Sequence, residues 1–212
     1  DQDLSQFEFI EENNEKIALD TILNNYFSYC KDPNDMCVNT QILIPMKKGI
    51  LGSYNINKNI QKRLGRDKEL LKKNDDIHIY QNDIIIQTKN NYKLGVINGD
   101  IGKVVGVDID GKKKAIIVNI NGRDYCYEGK DIFDFDPAYA LTIHRSQGSE
   151  YNNVIIPISH FHEFMLDPKL IYTAVTRAKN KVLLIGNKKS FINGLKSNWK
   201  YNRLTFLKDR IR

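Results

Sequence analysis

The chain has 212 residues, 41% hydrophobic and 27% charged, with a formal net charge of +6. That is the size and composition of a globular protein with a substantial core, and it excludes wholesale disorder. No apolar run approaches the ~18 residues of a membrane helix, the acidic start does not form a signal peptide, and Cys30, Cys37 and Cys126 lack the paired spacing of a zinc or redox motif, so the chain reads as cytoplasmic.

Charge is unevenly spread. Residues 1–35 hold two basic and nine acidic side chains, residues 47–73 nine and two, and residues 179–212 ten and one. Two basic blocks of this kind suit a polyanion such as nucleic acid or nucleotide phosphate, although a solvated lysine-rich surface would look the same.

FEFIE (7–11) is a strand candidate, and EKIALDTILNNYFSY (15–29) carries Ile17, Ile22, Leu23 and Tyr26 at helical spacing. TQILIP (40–45) is a second strand ended by Pro45; in GSYNINKNIQKRLG (52–65) Ile56, Ile60 and Leu64 recur every four residues before the stop at Gly65. Strand and helix alternate, the mark of an α/β layer. From about Asp83 to Phe133 the period becomes two, with Asp110-Gly111 and Asn121-Gly122 as hairpin turns, which predicts an all-β insert forming a small barrel. After Asp136-Pro137 the α/β pattern returns through AYALTIH, NNVIIPI, a helix near 167–178, the strand KVLLIG (181–186) and a basic terminal helix. The expected division is 1–75, the insert at 76–134, and 135–212.

Four polar clusters punctuate this pattern. HRSQGSE follows directly on a strand, where an open α/β sheet presents ligand-binding loops. There Gly148 lets the backbone turn, its neighbouring N–H groups can meet phosphate, Glu150 can accept from a sugar hydroxyl or metal-bound water, and Thr142 and His144 can meet a nucleic-acid phosphate. A capped turn with a hydrogen-bonded histidine is the plain alternative. In LIYTAVTRAKNKVLLIG (170–186), Arg177 near a helix end suits stabilisation of phosphate charge, or is a surface arginine beside a satisfied hydroxyl. IPMKKGILGSYNINKNIQ (44–61) offers Lys47 and Lys48 from a strand-to-helix loop that is not a P-loop. In QTKNNYKLGVINGDIGKVV (87–105), Asn90, Asn91 and Tyr92 offer amide and aromatic groups to a single strand, though Tyr92 could equally be core.

Taken in order, LTIHRSQGSEYNNVIIPI and LIYTAVTRAKNKVLLIG resemble motifs V and VI of superfamily 1 DNA helicases. DIIIQTKNNYKLGVINGDIGKVV and IPMKKGILGSYNINKNIQ resemble the RecD-like branch, the exodeoxyribonuclease V alpha-subunit type, so that the likeness runs from about Phe7 to Gly186. The resemblance implies a RecA-like (P-loop NTPase-type) second motor domain with a parallel sheet, interrupted by a small all-β barrel of the Src-homology 3 type. It implies ATP and Mg²⁺ bound against an N-terminal RecA-like domain, movement 5′-to-3′ on single-stranded DNA in repair and recombination, and nuclease-complex subunits as possible partners. Residue by residue, it puts Arg177 at the γ-phosphate, Gln147, Gly148 and Glu150 on the nucleotide side, and Lys48 at a second phosphate contact where the family has arginine. Thr142 and His144 fall on the DNA side, with Asn90, Asn91 and Tyr92 in the insert. Asn57 and Gln61 match the family's Leu-Asn-x-x-Leu-Gln helix.

No Walker A loop and no Asp-Glu metal box occur in the sequence. The resemblance therefore implies the C-terminal half of a helicase, expected to be inactive by itself. The alternatives are a nucleic-acid-binding module without ATPase activity and a helicase domain of the PIF-like or conjugative-relaxase type.

Overall fold

Strand TQILI is buried at every position, as befits a strand covered on both faces. It is β2 (Thr40–Ile44) of a five-stranded, all-parallel sheet in the computed structural model, which describes residues 6–30, 39–110 and 113–197. The sheet order is β1 (Phe7–Glu11), β12 (Ala178–Gly186), β11 (Tyr151–Ile158), β2 and β10 (Ala140–Thr142). Cys37, Gly111 of the expected Asp110-Gly111 turn, and the basic terminal segment beyond residue 197 lie outside the described residues.

Helices cover the sheet. In α1 (Glu15–Tyr29), capped by the Asn14 side chain, Ala18, Ile22, Leu23 and Tyr26 face the core, whereas Ile17 points to solvent at 52% exposure. Helix α2 (Ser53–Arg63) buries Ile56, Asn57, Ile60 and Gln61. Helix α3 (Pro168–Val175) starts at the Asp167 cap with proline at its first position, and α4 (Lys188–Lys196) at the Asn187 cap.

The rest is antiparallel. β3 (Glu69–Asn74) and β4 (Ile77–Tyr80) form a hairpin whose turn is Asp75-Asp76. β5 (Ile84–Gln87), β6 (Ile101–Asp110), β7 (Lys113–Ile120), β8 (Arg123–Glu128) and β9 (Phe135–Pro137) form a second sheet in the order β8-β7-β6-β5-β9, and no pairing joins β8 to β9 among the described residues. Asn121 and Gly122, both with positive φ, make the β7–β8 turn.

The expected edges of the insert fall inside structure. The β3–β4 hairpin spans residue 75, and β9, beginning at Phe135, pairs with β5. The charged run ELLKKN gives no clean apolar alternation, which is why its strand is hard to read.

Strand β5 serves two cores at once. Successive side chains on a strand point to opposite faces. Ile84 and Ile86 accordingly join the core of the parallel sheet, while Ile85 joins Leu70, Ile79, Val104, Ile116, Val118, Tyr127 and Phe135 in the second core.

Candidate functional site

The segment 143–150 carries most of the sequence's polar candidates, and it does not stay at one end of the sheet. Thr142 pairs with Ile44 at the carboxyl end of β2, whereas Asn153 pairs with Thr40 and Tyr151 lies two residues earlier still. Six residues of strand separate the two levels, about 20 Å at ~3.3 Å per residue. The expectation that HRSQGSE stands as a whole at the carboxyl ends is therefore corrected: its first half does, and its second half reaches the amino ends. Parallel pairing is the reason, since the chain must return across the sheet before β11 can begin. It does so beside α3 through a 3-10 turn, Ile143–Ser146, pinned by Ser146 Oγ donating to Ile143 O at 2.8 Å.

At the amino end, Gly148 turns the chain with φ +88°, a conformation that favours glycine. Arg177, at the end of α3, closes over this turn. Its Nη1 donates to Ser149 O at 3.1 Å and its Nε to Thr173 O at 3.3 Å, while the Arg177 carbonyl accepts from Tyr151 N–H at 2.8 Å. Among the described residues no carboxylate pairs with Arg177. The guanidinium is thus oriented by neutral acceptors and keeps its charge and spare donors for an anion. Gln147 and Glu150 are exposed beside it, and Glu150 faces Lys179 at 3.1 Å in a solvent-exposed pair of little energetic weight.

Lys48 is not at this end. It follows β2 in the exposed loop at the carboxyl end, with Lys47, Gly49 and Tyr54 around one cleft, so its grouping with Gln147, Gly148 and Glu150 is not reproduced. The loop is tightly wound at Gly52, where a Cβ would sit 2.4 Å from Lys48 O. A neighbouring cavity is lined by Lys47, Tyr54, Asp136, Thr142 and Arg145. Thr142 is half-buried there and His144 is exposed.

Asn57 and Gln61 are structural clamps. Asn57 exchanges two hydrogen bonds with the Ala140 backbone, at 2.8 and 3.0 Å, fixing edge strand β10. Gln61 Nε2 donates to Asp83 at 2.7 Å and to His78 O at 2.9 Å, joining α2 to the antiparallel part.

In the loop 88–98 the amides are occupied locally. Asn91 donates to Asp131 at 3.0 Å and accepts from Leu94 N–H at 3.1 Å, and Asn90 accepts from Asn98 N–H at 2.8 Å. Tyr92, 85% exposed, is the member of this trio that offers a free face, with its hydroxyl 3.2 Å from Asn90 Nδ2.

Two buried carboxylates escape the sequence reading. Asp83 accepts from Tyr80 N–H, Gln61 and Tyr139 Oη, with Arg66 Nε at 3.6 Å, too far for a hydrogen bond; burial pushes its pKa up to about 6 against those partners. Asp136 is held by Lys73 Nζ at 2.6 Å and Arg145 Nη1 at 2.8 Å. Burial favours its protonated form, but the two cations outweigh it and hold the carboxyl below its usual range. The only sequence sign of either is an acid set against an apolar run, in NDIII and FDFDPAYA.

The parallel α/β sheet, which carries an arginine and a glycine turn at its amino edge, is of the RecA-like type. A solved structure of Pif1 helicases at forked double-stranded DNA shares this fold, with a TM-score of 0.50 and 17% identity over 82% of this chain and 47% of that one. Residues 137–185 match the UvrD-like helicase C-terminal domain family. The chain is 31% identical over 147 residues to the ATP-dependent RecD2 DNA helicase of Deinococcus radiodurans, covering 69% of this chain and 20% of that protein. It is 36% identical over 106 residues to the RecBCD enzyme subunit RecD of Mycobacterium tuberculosis strain H37Rv, covering 50% of this chain and 18% of that protein. The chain belongs to the RecD-like superfamily 1 helicases and corresponds to their C-terminal part. It spans roughly a fifth of the length of these curated relatives.

Proposed function

We propose that this chain is the second motor domain of an ATP-dependent 5′-to-3′ DNA helicase, working against an N-terminal RecA-like domain that carries the Walker A loop. The observation that carries the reading is Arg177, hydrogen-bonded to Ser149 O beside the Gly148 turn and paired with no carboxylate among the described residues. A guanidinium so oriented fits the outer oxygens of a terminal phosphate, where an arginine typically accelerates transfer by ~10³-fold or more. Gln147, Gly148 and Glu150 line the same edge and complete the nucleotide side. Mg²⁺ and the inner phosphates need ligands from the first domain, and Mg²⁺ there would neutralise charge on the transferring phosphoryl group.

At the other end, Lys47, Lys48, Thr142 and His144 form the single-stranded DNA side, with Tyr92 as a stacking platform in the insert. Lys48 thereby moves from the nucleotide to the DNA. The insert is a small barrel of the Src-homology 3 type, supported by its short antiparallel strands and separate core. Its unit runs from the β3–β4 hairpin to β9, slightly wider than residues 76–134. Nuclease subunits are candidate partners because some relatives are named as RecBCD subunits.

The test is ATP turnover by the full-length natural protein. Arg177→Ala is expected to abolish most DNA-stimulated turnover while DNA affinity is nearly intact. Salt-sensitive single-strand binding by a wild type that shows no DNA-stimulated turnover would instead favour a nucleic-acid-binding module without ATPase activity.

A further inference from the structure

A single carboxylate joins the antiparallel insert to the segment that reaches Arg177. Asp136 is 6% exposed, and each of its oxygens takes a different cation: Oδ1 faces Lys73 Nζ at 2.6 Å and Oδ2 faces Arg145 Nη1 at 2.8 Å. Lys73 belongs to the β3–β4 hairpin, which pairs with neither larger sheet among the described residues, and Arg145 to the 3-10 turn after β10. From Arg145 the contacts continue without a break. Ser146 Oγ donates to Ile143 O, Ser149 N–H donates to Ser146 O at 3.0 Å, and Ser149 O accepts from Arg177 Nη1 at 3.1 Å.

A buried carboxylate shared by two cations ties both to one place, and losing it leaves two like charges facing each other. Arg145 also lines the cavity that holds Thr142, Lys47 and Tyr54. A polyanion entering there would compete with Asp136 for the Arg145 guanidinium. The segment can then shift relative to the hairpin while Lys73 still neutralises the carboxylate.

We propose that Asp136 is a positioning residue that couples the β3–β4 hairpin and the segment 143–150 to the placement of Arg177, so that DNA engaged at one end of the sheet sets ATP turnover at the other. The inference rests on the motor-domain reading above.

The experiment compares DNA-free and single-strand-stimulated ATP turnover in the full-length protein for wild type, Asp136→Asn, Lys73→Met and the double variant. Asp136→Asn frees Arg145 without DNA, so it is expected to raise DNA-free turnover toward the stimulated rate and thereby cut the stimulation ratio by about tenfold, within the usual range of coupling between sites, with the KM for ATP unchanged. Lys73→Met is expected to cut it less, and the double variant no further than Asp136→Asn, because both act through one link. An unchanged ratio, a DNA-free turnover that stays level or falls in Asp136→Asn, or additive losses would overturn the inference. If Asp136→Asn does not fold, Lys73→Met decides alone, and an unchanged ratio in it is the overturning result. A wild type without DNA-stimulated turnover would overturn the motor reading and the inference together; a stimulated wild type with indifferent variants would overturn the inference only.

Discussion

The segment 143–150 meets an arginine at each end, and the two are held in opposite ways. Arg145 is bound to Asp136, a carboxylate it shares with Lys73, so its charge is largely answered within the fold. Arg177 is bound to the carbonyls of Ser149 and Thr173, so its position is fixed while its charge is not answered. Location near a polar loop would not separate these residues. The partner's charge does: one arginine is a tie for which an incoming anion must compete with a carboxylate, and the other meets an anion with no such competitor.

The strongest way to break this contrast is at Arg177. Arg177→Ala should lower ATP turnover of the full-length protein by ~10³-fold, as loss of an arginine finger does. Its melting temperature should barely move, because no buried partner is stranded. A large drop in thermal stability would mean that Arg177, too, is chiefly a tie.

Next in size is a pH effect at the second buried carboxylate, where burial outweighs the Arg66 charge 3.6 Å away. With Asp83 raised from 3.8 to about 6, the folded state holds its proton more tightly than the unfolded one. Asp83's contribution to stability is therefore full below pH 3.8 and is lost as pH rises through 6, by about 3 kcal/mol for a shift of that size. Asp83→Asn should remove this dependence, so that unfolding curves measured from pH 4 to 7 show the variant gaining on wild type as pH rises. A constant difference would sink the assignment. Asp136 has the opposite sign, since its lowered carboxyl stabilises the fold above the ordinary carboxylate range and loses that as pH falls.

Smaller still, Arg145→Ala should cost ~2 kcal/mol in chemical denaturation, the scale of a charge-assisted hydrogen bond to a partly buried partner. The smallest effect expected is at Lys48. Lys48→Ala should reduce the slope of log affinity for single-stranded DNA against log salt by about 1 and leave the KM for ATP unchanged. A raised KM with an unchanged slope would return Lys48 to the nucleotide side.

Much of the parallel sheet was legible because its strands read as unbroken apolar runs, with TQILI and NNVIIPI bounded by turn or helix signals. The ligand-bearing segment was legible as chemistry but not as geometry. HRSQGSE shows its residue types plainly, yet nothing in the order of letters says that a parallel crossover will separate the level of Tyr151 from that of Thr142 by about 20 Å, a length that follows from strand rise. The separation of Lys48 from Gln147, Gly148 and Glu150 was hidden for the same reason. The β3–β4 hairpin was hidden by its lysines, and Asp83 and Asp136 by the rule that acids near strand ends are usually solvated. Asn90 and Asn91 looked like ligand groups because side-chain amides serve loop closure and recognition equally well; only their bonds to Asp131, Leu94 and Asn98 distinguish the two.

Strand β5 has a consequence for anyone who would cut this molecule apart. Because Ile84 and Ile86 complete one core and Ile85 the other, excising the insert at its β edges would open a hole in the remaining sheet domain as surely as it would free the antiparallel sheet. The two lobes share a party wall rather than a linker, and calorimetry should record them melting as one.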